Sequence, residues 1–325
     1  MSDPPLLSVV VASHERPRRL GVLLDALAAQ TAPPDQWEVV VVHDSSGPAT
    51  EAVLRDHPLA AAAGRLRTLR FPAGTGSAAR MRNAGWRAAA GRSVAFTDDD
   101  CRPDEAWVAV ALRAANARPT AILQGSTRPD PRDRDRFGPT SHTLYMDPPT
   151  TELEACNAVY PRAVLERVGG FDESIRAFGE DTDLGLRAKR AGAGHLAVPG
   201  MRVYHGIHAL GLRERLAVAA RCAELPAIVR RNPELRWVPH RPLGVFLRPS
   251  HAWLVVALAG LALARRRPLL ALLALPYARS RLHPYGRTTV KRLRRAHWLA
   301  AFAVIDATEL LALVRGSVRH RTPML

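Results

Sequence analysis

The fold is decided at residues 6–12, which read LLSVVVA. A largely apolar run with three consecutive β-branched valines is typical of a strand buried on both faces of a sheet. Pro17 follows after a short turn, and proline fits the first turn of a helix. One face of the predicted helix carries four leucines, Leu20, Leu23, Leu24 and Leu27. The stretch therefore predicts a β-α unit.

The same alternation continues toward the centre of the chain. A second buried strand is predicted at Trp37–His43 (WEVVVVH) and a third near Leu66–Phe71. An alanine-rich helix is predicted over about Ser77–Ala90, before a strand at Ser93–Thr97. Strands that alternate with helices indicate an α/β fold with a largely parallel sheet covered by helices.

The C-terminal part of the chain is strongly basic. The whole sequence holds 46 Lys and Arg against 30 Asp and Glu. Residues 201–325 hold 22 against 5, whereas residues 1–200 hold 24 against 25. Basic residues at Arg265–Arg267 and Lys291–Arg295 flank apolar runs, a pattern that favours an anionic membrane surface over nucleic acid. We therefore expect a membrane surface, and no nucleic acid, as a partner.

Three apolar segments in this basic part differ in length. Ala252–Ala264 and Leu269–Ala278 are short, since thirteen helical residues span only about 20 Å against a hydrocarbon core of about 30 Å. The last segment, Trp298–Val314, is longer but carries Asp306 and Glu309. We predict that it forms an amphipathic helix lying at the membrane interface.

Domain organisation and location follow from these patterns. We predict a catalytic domain at residues 1–209 and a basic, apolar helical region at residues 210–325. The N-terminus places its apolar stretch before its basic residues, so no cleavable signal is predicted. An odd number of cysteines, three, argues against a disulfide framework and for a reducing compartment. The predicted location is cytoplasmic, peripheral to or shallowly inserted in the inner face of the cell membrane.

Three consecutive carboxylates, Asp98, Asp99 and Asp100, directly follow the strand at Ser93–Thr97. In an extended chain Asp98 and Asp100 point to the same side, and their repulsion favours a bound cation. Mg²⁺ and Mn²⁺ prefer carboxylates together with phosphate oxygens. The cluster predicts a divalent-metal site suited to a diphosphate, and the alternative is a solvated acidic turn.

Five stretches, in the same order along the chain, resemble the family-2 glycosyltransferases of the GT-A fold. They are SVVVASHERPRRL, VVVVHDSS, GSAARMRNAGWRAAAGRSVAFTDDD, CNAVYPRAVLERVGGFDES and FGEDTDLGLRAKRAG, followed by VYH. The resemblance covers about residues 7–206 and leaves the basic C-terminal third outside. It implies a GT-A-like mixed, mostly parallel sheet flanked by helices, with a basic helical C-terminal region.

The resemblance also implies a site for a nucleotide-sugar donor. Asp44 would contact the base or ribose, and the turn after the first strand would line the same pocket. Arg82 matches the Arg-Asn-x-Gly segment of the family, where an arginine meets phosphate or ribose oxygens. The implied donor-binding residues are Ala12, His14, Arg16, Asp44, Arg82, Asn83, Asp98 and Asp99. Ordinary strand-end turns and solvated surface arginines are the alternatives.

Glu180 and Asp181 begin a predicted helix, whose positive dipole end favours ionised carboxylates. The resemblance implies that Asp181 is the general base for the acceptor hydroxyl, with Glu180 and Asp183 as supporting candidates. It further implies His205 as a third metal ligand beside Asp98 and Asp100. Helix capping by the two acids and a structural role for the histidine are the alternatives.

The predicted function is that of a metal-dependent, inverting glycosyltransferase. It would move a sugar from a nucleotide-diphosphate donor to an acceptor hydroxyl in cell-envelope, polysaccharide or glycolipid synthesis, with a lipid-linked acceptor among the candidates. Inversion is implied by the resemblance alone. A nucleotidyl- or phosphoryl-transferase, and a non-catalytic basic protein that binds membranes or nucleic acid, remain as alternatives. Gly74-Thr75-Gly76 lacks the third glycine of a dinucleotide-binding loop, which argues against a dehydrogenase.

Overall fold

A computed structural model describes residues 5–61, 65–176, 178–239, 241–282 and 295–325. The chain divides into two compact units. The sheet unit consists of Met1–Asp135 and Thr143–Ile207, and the helical unit of Arg136–His142 and His208–Leu325. The predicted catalytic domain at residues 1–209 remains a prediction, because compactness alone does not assign an activity to either unit.

The sheet unit contains eight strands and seven α-helices among its described residues. The strands are β1 Leu7–Ser13, β2 Trp37–His43, β3 Leu66–Arg70, β4 Ser93–Asp98, β5 Cys101–Pro103, β6 Ala121–Pro129, β7 Asn157–Pro161 and β8 Gly194–His205. The helices are α1 Pro17–Ala28, α2 Pro48–Asp56, α3 Pro58–Ala61, α4 Ala78–Ala88, α5 Trp107–Ala117, α6 Arg162–Val168 and α7 Glu180–Arg190.

The eight strands form one mixed sheet with the order β3-β2-β1-β4-β7-β6-β8-β5. Strands β1 to β4 pair in parallel, as do β6 and β8. Strand β7 is antiparallel to both of its neighbours, and β5 is antiparallel to β8. The predicted mixed, mostly parallel sheet flanked by helices is confirmed.

The predicted burial of β1 on both faces is also confirmed. Val9 and Val11 pack with the leucines of α1 and with Trp107 of α5 on one face of the sheet. Val10 packs with residues of α4, α6 and α7 on the other face. Two layers of helices therefore cover the central strands, which explains why the middle of β1 and of β2 consists of consecutive valines.

Parallel pairing brings the ends of β1, β2 and β4 to one edge of the sheet. Ala12 pairs with Asp98, and Ser13 pairs with His43 at the end of β2. On the other side of β4, Thr97 pairs with Asn157, so the segment before β7 reaches the same edge. In open sheets of this type ligands bind at the carboxyl ends of the strands.

The helical unit contains five α-helices among its described residues. They are α8 Leu212–Ala220, α9 Leu225–Arg231, α10 Pro249–Leu263, α11 Leu275–Leu282 and α12 Leu299–His320, and a 3-10 helix at Pro268–Ala274 precedes α11. Within the described part of the chain, only Ala296–His320 is long and apolar enough to cross a membrane by length and composition.

The predicted amphipathic character of α12 is wrong in one respect. Asp306 and Glu309 do not lie on a polar outer face, since both are almost completely buried. Tyr277 Oη donates to Asp306 at 3.0 Å, and His251 Nε2 lies 3.1 Å from Glu309. Polar groups on neighbouring helices therefore draw these carboxylates into the interior of the unit.

Gly125 tests how tightly β6 packs against β8 and Asn157. A Cβ at this position would overlap the Met201 carbonyl oxygen and the Asn157 amide. Asn157 donates to both the Ser126 and Met201 carbonyls at the irregularity between β6 and β8. We expect Gly125→Ala to lower the free energy of unfolding by about 2 to 3 kcal/mol through overpacking. Denaturant unfolding followed by circular dichroism measures this loss.

The matched control is Gly194→Ala, since a Cβ at Gly194 meets its nearest atom, Ala121 Cβ, at an ordinary 3.4 Å. We expect the control to change the unfolding midpoint little. Equal losses in the two variants would contradict the proposed overlap.

Candidate active site

Asp99 fastens the end of β4 to the turn after β1. Its Oδ2 accepts hydrogen bonds from Ser13 Oγ at 2.9 Å and from the His14 backbone N–H at 3.3 Å. Burial raises the pKa of Asp99 to about 6, although the Arg16 guanidinium opposes this shift. The carboxylate that was predicted to bind the donor is thus largely engaged within the protein.

Arg16 lies against two members of the acidic cluster. Its Nη1 is 3.0 Å from Asp99 Oδ1 and 2.8 Å from Asp100 Oδ2. Burial works against the charged form, but the two carboxylates outweigh it and raise the pKa of Arg16. The side chain is half exposed, so it reaches from solvent into the cluster.

Arg82 joins the end of β4 to the start of α7. Its Nη2 donates to Asp98 Oδ1 at 2.7 Å and its Nη1 donates to Glu180 Oε1 at 2.8 Å. The guanidinium is buried and stacks 5.6 Å from the centre of the Phe171 ring. The predicted partners of Arg82 were phosphate or ribose oxygens, whereas the structure gives it two carboxylates.

Asp181 is held at the first turn of α7 by two backbone N–H groups. The Ala155 N–H donates to its Oδ2 at 3.2 Å, and the Thr182 N–H donates to its Oδ1 at 2.8 Å. Burial and the neighbouring Glu180 raise the pKa of Asp181 to about 7, and Arg82 opposes this shift. A carboxyl group with a pKa near neutrality is suited to general-base chemistry.

His205 is brought to the acidic cluster by the pairing of β5 with β8, in which it lies opposite Cys101. Its Nδ1 is 2.8 Å from the Gly206 carbonyl oxygen, which can only accept, so the proton of neutral His205 belongs on Nδ1. The Nε2 lone pair then faces Asp100, whose Oδ1 is 3.5 Å away.

Asp98, Asp100 and His205 together could hold a metal ion. One ligand atom from each lies within 4.8 Å of the others. Carboxylate oxygens with one imidazole form a donor set that suits Mn²⁺. The fixed tautomer of His205 adds to this fit, because a metal-ligating histidine normally donates its other N–H to a carbonyl or carboxylate.

The helical unit holds a second group with similar spacing, formed by His251, Asp306 and Glu309. Three guanidinium groups lie within ion-pair distance of these two carboxylates, those of Arg215, Arg248 and Arg281. Arginines thus outnumber carboxylates, which disfavours a divalent cation. At the sheet edge the balance is reversed, because four carboxylates lie within ion-pair distance of two arginines, Arg16 and Arg82. We assign the group in the helical unit to an ion-pair network.

Asp44 follows β2 at the same edge of the sheet and is buried. Its Oδ1 lies 2.7 Å from His14 Nδ1, and its Oδ2 accepts from the Gly76 backbone N–H at 3.0 Å. The neighbouring Ala12 pairs with both Val42 and Asp98. The structure therefore brings the predicted pocket residues Ala12, His14 and Asp44 together with the acidic cluster.

Asn83, also predicted to bind the donor, is bonded within the protein. Its amide donates to the Phe171 carbonyl at 2.9 Å and to Glu173 at 2.8 Å. Its carbonyl oxygen accepts from the Phe171 N–H and from Trp86 Nε1, each at 2.9 Å. These four bonds use the full capacity of the side chain within the protein, and the donor-binding role of Asn83 stays a prediction that they do not support.

The segment before β7 places beside α7 two residues that the sequence analysis did not single out, Leu153 and Glu154. Leu153 has a left-handed backbone, with φ of 52°, and its side chain packs against Gly185 of α7. Glu154 is mostly buried, accepts from Thr150 Oγ1 and Gln124 Nε2, and has its pKa raised by burial. In the sequence, the one sign that this segment packs against the protein was a single leucine within the polar stretch TELEA.

Residues 8–171, about half of the chain, match the family model described as Glycosyl transferase family 2. The chain belongs to glycosyltransferase family 2. The matched range of this family-2 chain includes the acidic cluster, Asp44 and Arg82, and it ends before α7.

Two curated relatives of this family-2 chain illustrate the match. It is 30% identical over 226 residues to a validoxylamine A glucosyltransferase of Streptomyces hygroscopicus subsp. limoneus, covering 57% of this chain and 48% of the relative. It is 27% identical to the O-antigen biosynthesis protein RfbC of Myxococcus xanthus, covering 62% of this chain and 17% of the relative. The chain thus spans about half the length of the glucosyltransferase, and less of RfbC.

Solved structures share the fold. The mannosyltransferase PcManGT from Pyrobaculum calidifontis, in complex with GDP-Man and Mn²⁺, aligns over 97% of this chain and 88% of its own, with a TM-score of 0.56 and 20% identity. S. aureus TarS 1-349, in complex with UDP, aligns over 97% and 92%, with a TM-score of 0.52 and 17% identity. At these identities the likeness concerns the fold alone.

Arg82→Met tests the bridge that Arg82 forms between Asp98 of β4 and Glu180 of α7. Removing one member of a buried ion-pair network typically costs about 3 to 5 kcal/mol, and we expect a loss of this size at pH 7. Asp181 would lose the cation that opposes its raised pKa. The folded variant would then bind more protons than the unfolded chain near neutrality, so its stability rises as the pH falls.

We therefore expect the loss to be smaller at pH 5 than at pH 7, measured by chemical unfolding at both values. Arg113→Met, on an exposed position of α5, is the control and should change little. An equal loss at both pH values would indicate that Arg82 acts through packing on Phe171 alone.

Proposed function

We propose that this protein transfers a sugar from a nucleoside-diphosphate donor to an acceptor hydroxyl. One observation carries the proposal. The buried Arg82 guanidinium contacts Asp98 on one side and Glu180 on the other, so the candidate cation site and the helix that carries Asp181 lie within the reach of one side chain. A transferase needs these two functions, donor activation and acceptor deprotonation, side by side.

The donor site is proposed at the edge formed by β1, β2 and β4. Asp44 would accept hydrogen bonds from the base or ribose, with Ala12 and His14 beside it. The fold neighbours support a nucleotide-sugar donor, since one was solved with GDP-Man and Mn²⁺ and the other with UDP. GDP- and UDP-sugars are therefore the first donors to test.

Asp98, Asp100 and His205 are proposed to hold a divalent cation, Mn²⁺ or Mg²⁺. When bound, such an ion would neutralise charge on the departing nucleoside diphosphate. The surrounding residues keep the ligands in place. Arg82 fixes Asp98, the β5–β8 pairing brings His205 to Asp100, and the Gly206 carbonyl fixes the tautomer of His205.

Asp181 is proposed as the general base. The backbone N–H groups of Ala155 and Thr182 orient its carboxylate, and its pKa near neutrality allows it to take the proton of the acceptor hydroxyl. The hydroxyl oxygen would attack the anomeric carbon as the bond to the diphosphate breaks. A single displacement of this kind inverts the configuration of the sugar.

The acceptor is proposed to belong to cell-envelope, polysaccharide or glycolipid synthesis. We propose a lipid-linked acceptor, whose hydroxyl is presented at a membrane. The likeness to an O-antigen biosynthesis protein supports this class of product. The family assignment disfavours a nucleotidyl- or phosphoryl-transferase. The products separate the two reactions, because sugar transfer releases a nucleoside diphosphate and nucleotidyl transfer releases pyrophosphate.

The test is release of nucleoside diphosphate from a panel of GDP- and UDP-sugars, with Mn²⁺, Mg²⁺ or a chelator and with a membrane extract as acceptor source. We expect release to depend on the metal and to fall by at least about 100-fold in Asp98→Asn and in Asp181→Asn, since each variant removes one catalytic function. Arg113→Gln serves as the folded control with unchanged release.

Two results would contradict this proposal. Pyrophosphate as the product would indicate nucleotidyl transfer. No turnover of any nucleotide sugar, together with salt-sensitive binding of vesicles or nucleic acid that survives both substitutions, would indicate a non-catalytic basic protein.

A membrane surface is the proposed partner of the helical unit, at the cytoplasmic face. Helix α10 and the segment after it carry several exposed apolar side chains, among them Leu258 at 55%, Leu269 at 80% and Leu272 at 58%. The two segments pack closely at Gly260, where a Cβ would meet the Leu270 carbonyl and Leu273. A large exposed apolar surface of this kind is typical of membrane or protein contacts.

Charge favours the membrane over a protein partner. The connection between the two segments, Arg265–Arg267, is exposed and carries three guanidinium groups. Helix α10 has 15 residues and spans about 22 Å, too short to cross a hydrocarbon core of about 30 Å. We therefore propose that the segments lie along an anionic surface. The second predicted basic run, at Lys291–Arg295, lies mostly outside the described residues.

Vesicle binding tests this partner. The substitution of Arg265, Arg266 and Arg267 by Gln should weaken binding to phosphatidylserine vesicles by about 100-fold at low salt, since each basic residue contributes about 1 kcal/mol. The paired change Leu269→Ser and Leu272→Ser should weaken binding at low and at high salt. The control is the double substitution Arg113→Gln and Arg118→Gln, since both arginines are exposed on the sheet unit. Unchanged flotation of both variants would contradict the proposal.

A further inference from the structure

Both carboxylates proposed as metal ligands already have a guanidinium partner. Arg82 donates to Asp98, and Arg16 Nη1 lies 2.8 Å from Asp100 Oδ2. The two arginines are held differently. Arg82 is buried and also donates to Glu180, whereas the Arg16 side chain is 47% exposed. Arg16 can therefore leave its carboxylates without opening the core, and Arg82 cannot.

The turn that carries Arg16 has other anchors. Asp99 accepts from Ser13 Oγ and from the His14 N–H through Oδ2, the oxygen that Arg16 does not contact. The Glu15 N–H donates to Ser45 Oγ at 3.0 Å, which fixes the turn to the end of β2. Departure of the guanidinium would leave the backbone of this turn in place.

A guanidinium and a divalent cation on the same carboxylate repel each other at short range. Arg16 Nη1 supplies positive charge to Asp100 at hydrogen-bond distance, on the carboxylate that would ligate the ion. The diphosphate of a donor offers a replacement partner, because arginine pairs well with phosphate oxygens through two N–H groups.

We propose that Arg16 is a resident counterion of Asp100, which competes with the divalent cation and is released to the diphosphate of the donor. The inference rests on the proposed function, since it needs the metal site and the donor. Its consequence is that cation and nucleotide bind cooperatively. The coupling is reciprocal, so each ligand raises the affinity for the other by the same factor.

The experiment is a titration of the full chain with Mn²⁺, in which the electron paramagnetic resonance signal reports free Mn²⁺, without nucleotide and with GDP or UDP. In the wild-type chain we expect the nucleotide to tighten Mn²⁺ binding by about tenfold or more. Arg16→Gln should bind Mn²⁺ alone about three- to tenfold more tightly than the wild type, with a smaller nucleotide effect.

Three further variants complete the design. Arg16→Met also removes the charge and keeps the aliphatic stem, so it replaces Arg16→Gln if that variant does not fold. Arg16→Lys retains the charge and should remain near the wild type. Arg113→Gln removes an exposed arginine from α5 and should leave Mn²⁺ binding unchanged.

Unchanged or weaker Mn²⁺ binding by the nucleotide-free Arg16→Gln or Arg16→Met chain would overturn the inference. Asp98→Asn and Asp100→Asn separate this failure from a failure of the proposed metal site. If neither weakens Mn²⁺ binding, the metal site itself is wrong. If both weaken it while the Arg16 variants do not differ from the wild type, only the counterion role is wrong.

Discussion

The site depends on two hydrogen bonds that the Arg82 guanidinium donates, one to Asp98 and one to Glu180. They place one buried positive charge between the end of a strand and the start of a helix that lie 82 residues apart in the chain. Without that charge, the carboxylates around it would face each other in a poorly solvated region, at a high cost in free energy. The arginine thus permits a concentration of acidic groups that the sheet edge could not otherwise tolerate.

The sequence predicted the sheet well because its signals were local. Uninterrupted valines gave the bounds of β2 as the structure has them, and β1 and β4 differ from prediction by one residue at their ends. Their shared edge followed from parallel pairing alone. The approach of Asp44, Asp98 and the turn after β1 to one another was therefore predictable before any side chain was placed.

Side-chain partners were not predictable, because they depend on neighbours far away in the chain. The Asn83 side-chain amide forms hydrogen bonds with Phe171, Trp86 and Glu173, and no sequence pattern near Asn83 predicts these partners. Asp306 and Glu309 suggested a polar face on α12, yet buried groups on other helices pair with them. Periodicity describes which face of a helix is apolar, but not which polar groups find a partner inside.

The contact of Leu153 with Gly185 restricts which substitutions can stabilise this enzyme. Glycine within a helix costs about 1 kcal/mol relative to alanine, and replacing it is a common route to a more heat-resistant protein. At position 185 that route is closed, because a methyl group would push on Leu153 and shift the segment whose Ala155 N–H orients Asp181. Gly185 thus has to stay in α7 although it destabilises the helix, and substitutions meant to raise thermal stability should avoid this position.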